Sequence, residues 1–329
     1  MGGLESRRRY SDERVAQIRK CLRPARSIVG NHACIYATGS FGRGEAGSNS
    51  DLDLFIAGRN ARGKSKERKL TNLKEIQLKA TLIDMCGELS FPAFSGDGEY
   101  LAHYSIHNLT DTLGKPNDDS TNTFTARLLL LLESRCLLGD KVYAEAKRKV
   151  ILEYWRDYLD HTGSFSPAFL CNDILRLWRT FCVNYEARTK RDPPDQKAKG
   201  KIKNYKLKHS RLLTCYSAVL FLLVRLKQNR TVSPEDAFEM SELSPTLRLQ
   251  RILDDPQQQD VHASIQRLLV CYERFLDVTN DTNAELVKMF MDPEQSRERM
   301  RQASEFGEAM FEALRSAGKD SPLYRLLVV

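Results

Sequence analysis

The sequence predicts an α/β (α+β) domain, a small mixed sheet with flanking helices, followed by an all-α helical domain. Cys34-Ile35-Tyr36-Ala37 is a short β-branched and aromatic run closed by Gly39, which reads as a strand entering a tight turn. Leu52, Leu54 and Ile56 alternate with Asp51 and Asp53, the period-2 pattern of a half-buried strand. From about residue 142 onward almost every segment carries helical spacing instead, with no repeat of fixed period.

Taken in order, residues 11–22 have helical periodicity through Val15, Ile18 and Leu22 and precede the first strand. The alternating stretch at 51–56 gives the second strand, and a polar, basic turn follows at 58–64. Leu70, Leu73, Ile76, Leu78 and Ile83 then predict a long helix from about 66 to 86, and residues 91–100 read as loop. Asp118-Asp119-Ser120 is a start signal for a helix over 124–138, with Gly139 as its stop. Helical patterns continue at 150–158, 174–185 and 212–226, then behind a Ser233-Pro234-Glu235 cap, and in three further amphipathic segments. A break at 164–167 sets the expected domains at 1–164, catalytic, and 165–329, helical.

A chain of 329 residues is long enough for two domains with real cores. With 41% hydrophobic and 29% charged residues, its composition is that of a globular protein. The longest apolar run, 218–224, falls well short of a membrane span, and the N-terminus lacks the apolar core of a secretory signal, so the expected location is the cytoplasm with no membrane partner. Eight scattered cysteines without a C-x-x-C pair read as reduced core thiols. His103 and His107 stand four apart, but no third ligand has a zinc-like spacing.

The chemistry lies in Gly39-Ser40 and, ten residues later, Asp51-Leu52-Asp53. On a strand the two carboxylates would share one face, where their repulsion at an effective dielectric near 20 is on the order of a few kcal/mol. A cation between them relieves it, and Mg²⁺ characteristically takes one or two carboxylates together with substrate phosphates. Gly39 allows close backbone approach to a phosphate, Ser40 adds a hydroxyl and Arg43 a cation. Either piece alone is usually an ordinary turn or edge strand; the two in this order point to a metal–nucleotide site.

Gly39-Ser40-Phe41-Gly42-Arg43-Gly44-Glu45, continuing to Ser50-Asp51-Leu52-Asp53-Leu54, resembles the signature of the DNA polymerase β nucleotidyltransferase superfamily. The Gly-Arg-Gly-Glu continuation is similar to the branch of PII-protein uridylyltransferases and bacterial nucleotidyltransferases of unassigned substrate. The resemblance implies Mg²⁺- or Mn²⁺-dependent transfer of an NMP from an NTP such as ATP to an acceptor hydroxyl, with release of pyrophosphate. Asp51 and Asp53 would be catalytic metal ligands, and Gly39, Ser40 and Arg43 would bind the nucleotide. A third carboxylate is common in the superfamily: Glu133, in a stretch similar to that branch, is one candidate, Asp97 or Glu99 is another, and its absence is the third reading. The acceptor is open among protein, RNA and small molecule. The rival reading is a catalytically degenerate, nucleotide-binding regulatory module.

Charge is concentrated. Residues 186–211 hold ten Lys or Arg against three acids, nearly the whole +8 of the chain. If helical, Lys201, Asn204, Lys208 and Arg211 share a face beside Ile202, Tyr205 and Leu212. Lys201, Lys208 and Arg211 are therefore candidate nucleotide ligands, the alternatives being a polyanionic partner or a merely solvated face. No zinc-finger, helix-turn-helix or RNP-type signature accompanies them.

Overall fold

The computed structural model describes residues 3–61, 64–92, 94, 98, 101–188 and 193–327. It separates into two compact units, Gly3–Arg156 and Asp157–Val329, dividing ahead of the 164/165 boundary expected from the sequence.

In the first unit, α1 (Gly3–Cys21) and α2 (Arg26–Val29) lead into strand β1 (Ala33–Ala37), short helix α3 (Gly39–Arg43) and strand β2 (Leu54–Gly58). A two-stranded antiparallel ribbon, β3 (Asn60–Ala61) and β4 (Lys64–Arg68), precedes α4 (Asn72–Glu88). Then come β5 (His103–Ser105), α5 (Ile106–Asp111), α6 (Asn117–Ser120), α7 (Thr123–Leu132), β6 (Arg135–Leu138) and α8 (Asp140–Tyr154). The main sheet has the order β5-β2-β1-β6; β2 and β6 flank β1 antiparallel, and β5 runs parallel to β2. It is the small mixed sheet expected.

One face of this sheet is the core. Ile35, Ala37, Leu54, Ile56, Leu137 and Leu138 pack with Val15 and Ile18 of α1 and with Leu78, Leu82 and Met85 of α4. The other face carries an aromatic row, Tyr36 stacked on Phe55 and Phe55 on Tyr104, with Tyr143 of α8 tilted against Tyr36. Strand alternation separates the two sets.

Several elements differ from the sequence reading, among them the helix expected at 150–158, which is α8 and ends at Tyr154. Residues 66–68 belong to strand β4, and α4 begins only at Asn72, because apolar spacing starts at Leu70. On α4 the buried face is Leu78, Leu82, Met85 and Cys86, whereas Leu73, Ile76 and Ile83 are exposed. The expected helix 124–138 is really α7 followed by β6; a continuous apolar run has no period of its own, and hydrogen bonding to the free edge of β1 selects the strand. Asp118 does not cap that helix. It lies buried in α6, accepting hydrogen bonds from Thr123 and from the fully buried Arg127 at 3.0 Å.

Among its described residues the second unit's regular structure is helical: α9 (Ala168–Arg188), α10 (Pro194–Lys206), a π-helical turn at Leu207–Arg211, α11 (Leu212–Asn229), α12 (Pro234–Glu242), α13 (Pro245–Leu253), α14 (Gln259–Val278), α15 (Asn283–Met291), α16 (Pro293–Gly318) and α17 (Pro322–Leu326), with short 3₁₀ turns at Tyr158–Asp160 and Pro256–Gln258. The Ser233 cap forms a full capping box, its partner being Asp236. By length and composition Gln196–Asn229 is apolar enough to cross a membrane, yet 72% of its apolar window is buried inside the protein, as in a core helix. All eight cysteines are free thiols, and burial pushes Cys34 and Cys171 up to about 12, which suppresses the reactive thiolate.

His209 sits in the π-helical turn, ring-stacked on Phe275 and Phe306, with Nδ1 2.9 Å from the Tyr205 carbonyl. Burial lowers its pKa from 6.5 to about 4, the Tyr205 hydrogen bond opposing this only in part. Between those values the unfolded chain binds the proton and the folded chain does not, so stability falls as pH drops from about 6.5 to about 4, by roughly 3 kcal/mol at most. Thermal melts across that window should show the slope, and His209→Phe should flatten it. An equal slope in the variant would place the sensitivity elsewhere.

Candidate active site

The site is assembled within the first unit, where β1 ends and β2 begins. After Ala37 the chain turns through Thr38 into α3, and the Thr38 amide donates to the Asp53 carbonyl at 3.0 Å, tying the turn to the residue before β2. Gly39 takes φ +63°, a left-handed conformation that a side chain disfavours. A Cβ built there would lie 2.5 Å from Asp53 Oδ2. The glycine therefore makes room first of all for a carboxylate.

Asp51 and Asp53 precede β2 and do not lie within it, which corrects the strand placement. Burial alternation survives: Asp51 is exposed and Asp53 half-buried, while Leu52 and Leu54 enter the core. The apolar side chains anchor the segment, and the acids are left outside that core. Ser40 is half-exposed on the first turn of α3, and its carbonyl accepts from the Glu45 amide at 2.8 Å.

Behind the turn lies a buried ion network. Glu133, at the break between α7 and β6, is 2% exposed. Its Oε1 accepts from the Gly39 amide at 3.2 Å, and its Oε2 accepts from the Arg43 guanidinium at 2.8 Å. Arg43, itself buried, also donates through Nε to Glu45 at 2.8 Å. A Cβ on Gly42 would collide with the Glu133 carbonyl, so α3 and the 133 segment meet backbone to backbone. Arg43 is thus held inward between two carboxylates and does not project from the turn as a phosphate ligand would. Glu133 meets the turn at its amide and at Arg43. Asp97 and Glu99 lie outside the described residues.

Removing Glu133 leaves Arg43 paired with Glu45 but strips the Gly39 amide and one side of the buried guanidinium of their acceptor, a loss of about 1–3 kcal/mol or somewhat more. Glu133→Ala should therefore lower the denaturation midpoint strongly. Glu133→Gln, which keeps an acceptor for the Gly39 amide, should lose less. Chemical denaturation of both variants tests this, and a wild-type midpoint for Glu133→Ala would remove the network's structural role.

His103 and His107 do not converge: His103 is buried on β5 and His107 exposed on α5. His103 Nδ1 is 2.8 Å from Glu75 Oε2, which also accepts from Arg68 at 2.9 Å. Among the described residues, no group of three or more His, Cys, Asp or Glu is placed to hold a metal ion. Lys201, Lys208 and Arg211 belong to the second unit, on α10 and the π-helical turn.

Residues 17–89 match the nucleotidyltransferase domain family. Over that segment the chain is similar to a nucleotidyltransferase domain. The matched segment runs from α1 to the end of α4 and contains Gly39, Ser40, Asp51 and Asp53. Glu133 and strands β5 and β6 fall outside it. No curated protein and no solved structure matches the chain. The Glu133–Arg43–Glu45 network is the part of the site that sequence reasoning missed as a unit; the sequence carries it only as Glu133 and the Arg43-Gly44-Glu45 continuation of the turn.

Proposed function

We propose that the chain transfers an NMP from an NTP to an acceptor hydroxyl, with Mg²⁺ or Mn²⁺ held by Asp51 and Asp53. One observation carries the reading: the Asp53 carboxylate lies against the Gly39 Cα, so that the acid and the Gly-Ser turn form one site inside the segment that matches the nucleotidyltransferase domain family. The donor chemistry fits a hard divalent cation, for which two carboxylates suffice when phosphate oxygens supply the remainder. When bound, the cation supplies charge neutralisation on the triphosphate and its pyrophosphate leaving group.

This chain's residues then divide the work. Asp51, exposed, and Asp53, half-buried, would hold the cation through their carboxylate oxygens. Ser40 donates its hydroxyl to a phosphate oxygen, and Gly39 keeps the space beside Asp53 clear. Glu133 and Arg43 are positioning residues: they hold the Gly39 amide and α3 in place from behind.

The test is to incubate the purified chain with each α-labelled NTP and Mg²⁺ or Mn²⁺, with and without cell lysate. Label is then sorted into protein, RNA and small-molecule fractions. Metal-dependent label in one fraction is the expected result; nucleotide binding without transfer in any fraction would replace this reading with the regulatory module.

A further inference from the structure

We propose that the seam between α9 and the α10–π-helical segment is a docking surface for single-stranded nucleic acid. The two elements run antiparallel: Tyr185 is hydrogen-bonded to Asn204, Cys182 lies in the field of Lys208, the Arg211 guanidinium stands 5.1 Å over the Phe181 ring, and Trp178 meets Tyr216 edge to face at 6.0 Å. The face carrying Asn204, Lys208 and Arg211 therefore lies along α9. Ala198, Ile202, Tyr205 and His209 form the buried side, and Tyr205 and His209 pack on Phe275. With its apolar face occupied, the segment presents exposed Lys197, Lys199, Lys201, Lys203 and Lys206 to solvent.

The cations alternate with aromatic rings. Trp178, Phe181, Tyr185 and Tyr216 are all half-exposed along the seam. A separate groove of about 490 Å³, lined by Arg176, Arg179, Val183 and Leu326, lies on the other side of α9 and is not part of the seam. Glu186, an acid near the α9 end, acts on both Cys182 and Tyr185, so the seam carries a negative charge among its cations. From Lys201 to Arg211 the seam is about 15 Å long at helical rise. A row of cations beside half-exposed rings is what a single strand requires, phosphates on the charges and bases stacked on the rings, with Arg211 already over one face of Phe181. A duplex hides its base faces and would leave the rings unused. An acidic peptide would use the charges but not the rings.

The experiment is fluorescence anisotropy of the full chain, without NTP, against a labelled 20-nucleotide oligo(U) over a range of salt. Binding should weaken steeply with salt, and the triple variant Lys201→Ala/Lys208→Ala/Arg211→Ala should raise Kd at least tenfold. Its slope of log K against log salt should be shallower by about 2, at roughly 0.7 per lost contact to a single strand. Trp178→Ala, verified as folded by its melting curve, should weaken binding with little change of slope. Asp53→Asn should bind the oligonucleotide like wild type while losing transfer, so that failure of the transferase reading and failure of this one are distinguishable. A triple variant within twofold of wild type would overturn the proposal. So would polyglutamate of equal length competing as well as oligo(U), which would mark an acidic-protein surface. Equal competition by a 20-base-pair duplex would overturn the single-strand assignment, and competition by ATP at stoichiometric amounts would make the residues nucleotide ligands.

Discussion

Asp53→Asn should reduce NMP transfer by at least 10²–10³-fold, the scale on which the loss of one preorganised electrostatic contact to a transition state is felt. The amide keeps the shape of the carboxylate beside Gly39 but removes the charge that would hold the cation. Because the carboxylate is half-buried next to Asp51, its neutralisation also relieves like-charge repulsion in the metal-free protein, so the melting temperature should hold or rise. Asp51→Asn, at the exposed position, should follow the same pattern in rate. The measurement is initial rate at saturating Mg²⁺ together with a metal-free thermal melt. Near wild-type transfer by both variants would sink the assignment of these carboxylates.

Gly39→Val should damage both fold and site. A β-branched residue at φ +63° carries backbone strain of about 1–3 kcal/mol, and its Cβ falls 2.5 Å from Asp53 Oδ2, so the carboxylate must move. Gly44 is the internal comparison. It too is left-handed, at φ +71°, but a Cβ there meets nothing within 4 Å. Gly44→Ala should therefore incur only the backbone term, about 1–2 kcal/mol, and keep far more activity. Ser40→Ala should weaken nucleotide binding modestly, since it removes a hydroxyl and no space. Calorimetry with NTP and metal, beside denaturation curves, separates the three. A Gly39→Val protein that binds nucleotide like wild type would show that Asp53 need not sit where the glycine admits it.

The sequence by itself determined the elements whose signals are local. Cys34 to Ala37 is β-branched, aromatic and glycine-terminated, and it is a strand; Leu52, Leu54 and Ile56 alternate, and they enter the core; the second half carries helical spacing, and it is helical. It also brought out Gly39-Ser40 and the acidic pair, because that chemistry needs a short motif at fixed reach, and residues 17–89 match the nucleotidyltransferase domain family on that segment. Tertiary structure alone decided three things. Residues 135–138 form a strand because β1 offers a free edge, and hydrogen bonding to a partner distant in sequence leaves no period in an apolar run. Leu73, Ile76 and Ile83 turn outward because the core lies on the other side of α4, a choice between two apolar faces that spacing cannot make. Glu133 reaches Gly39 and Arg43 across ninety residues of chain, and the pairing exists only once β6 has docked beside β1, since a buried charge finds its counter-ion through the fold and not through its neighbours in sequence.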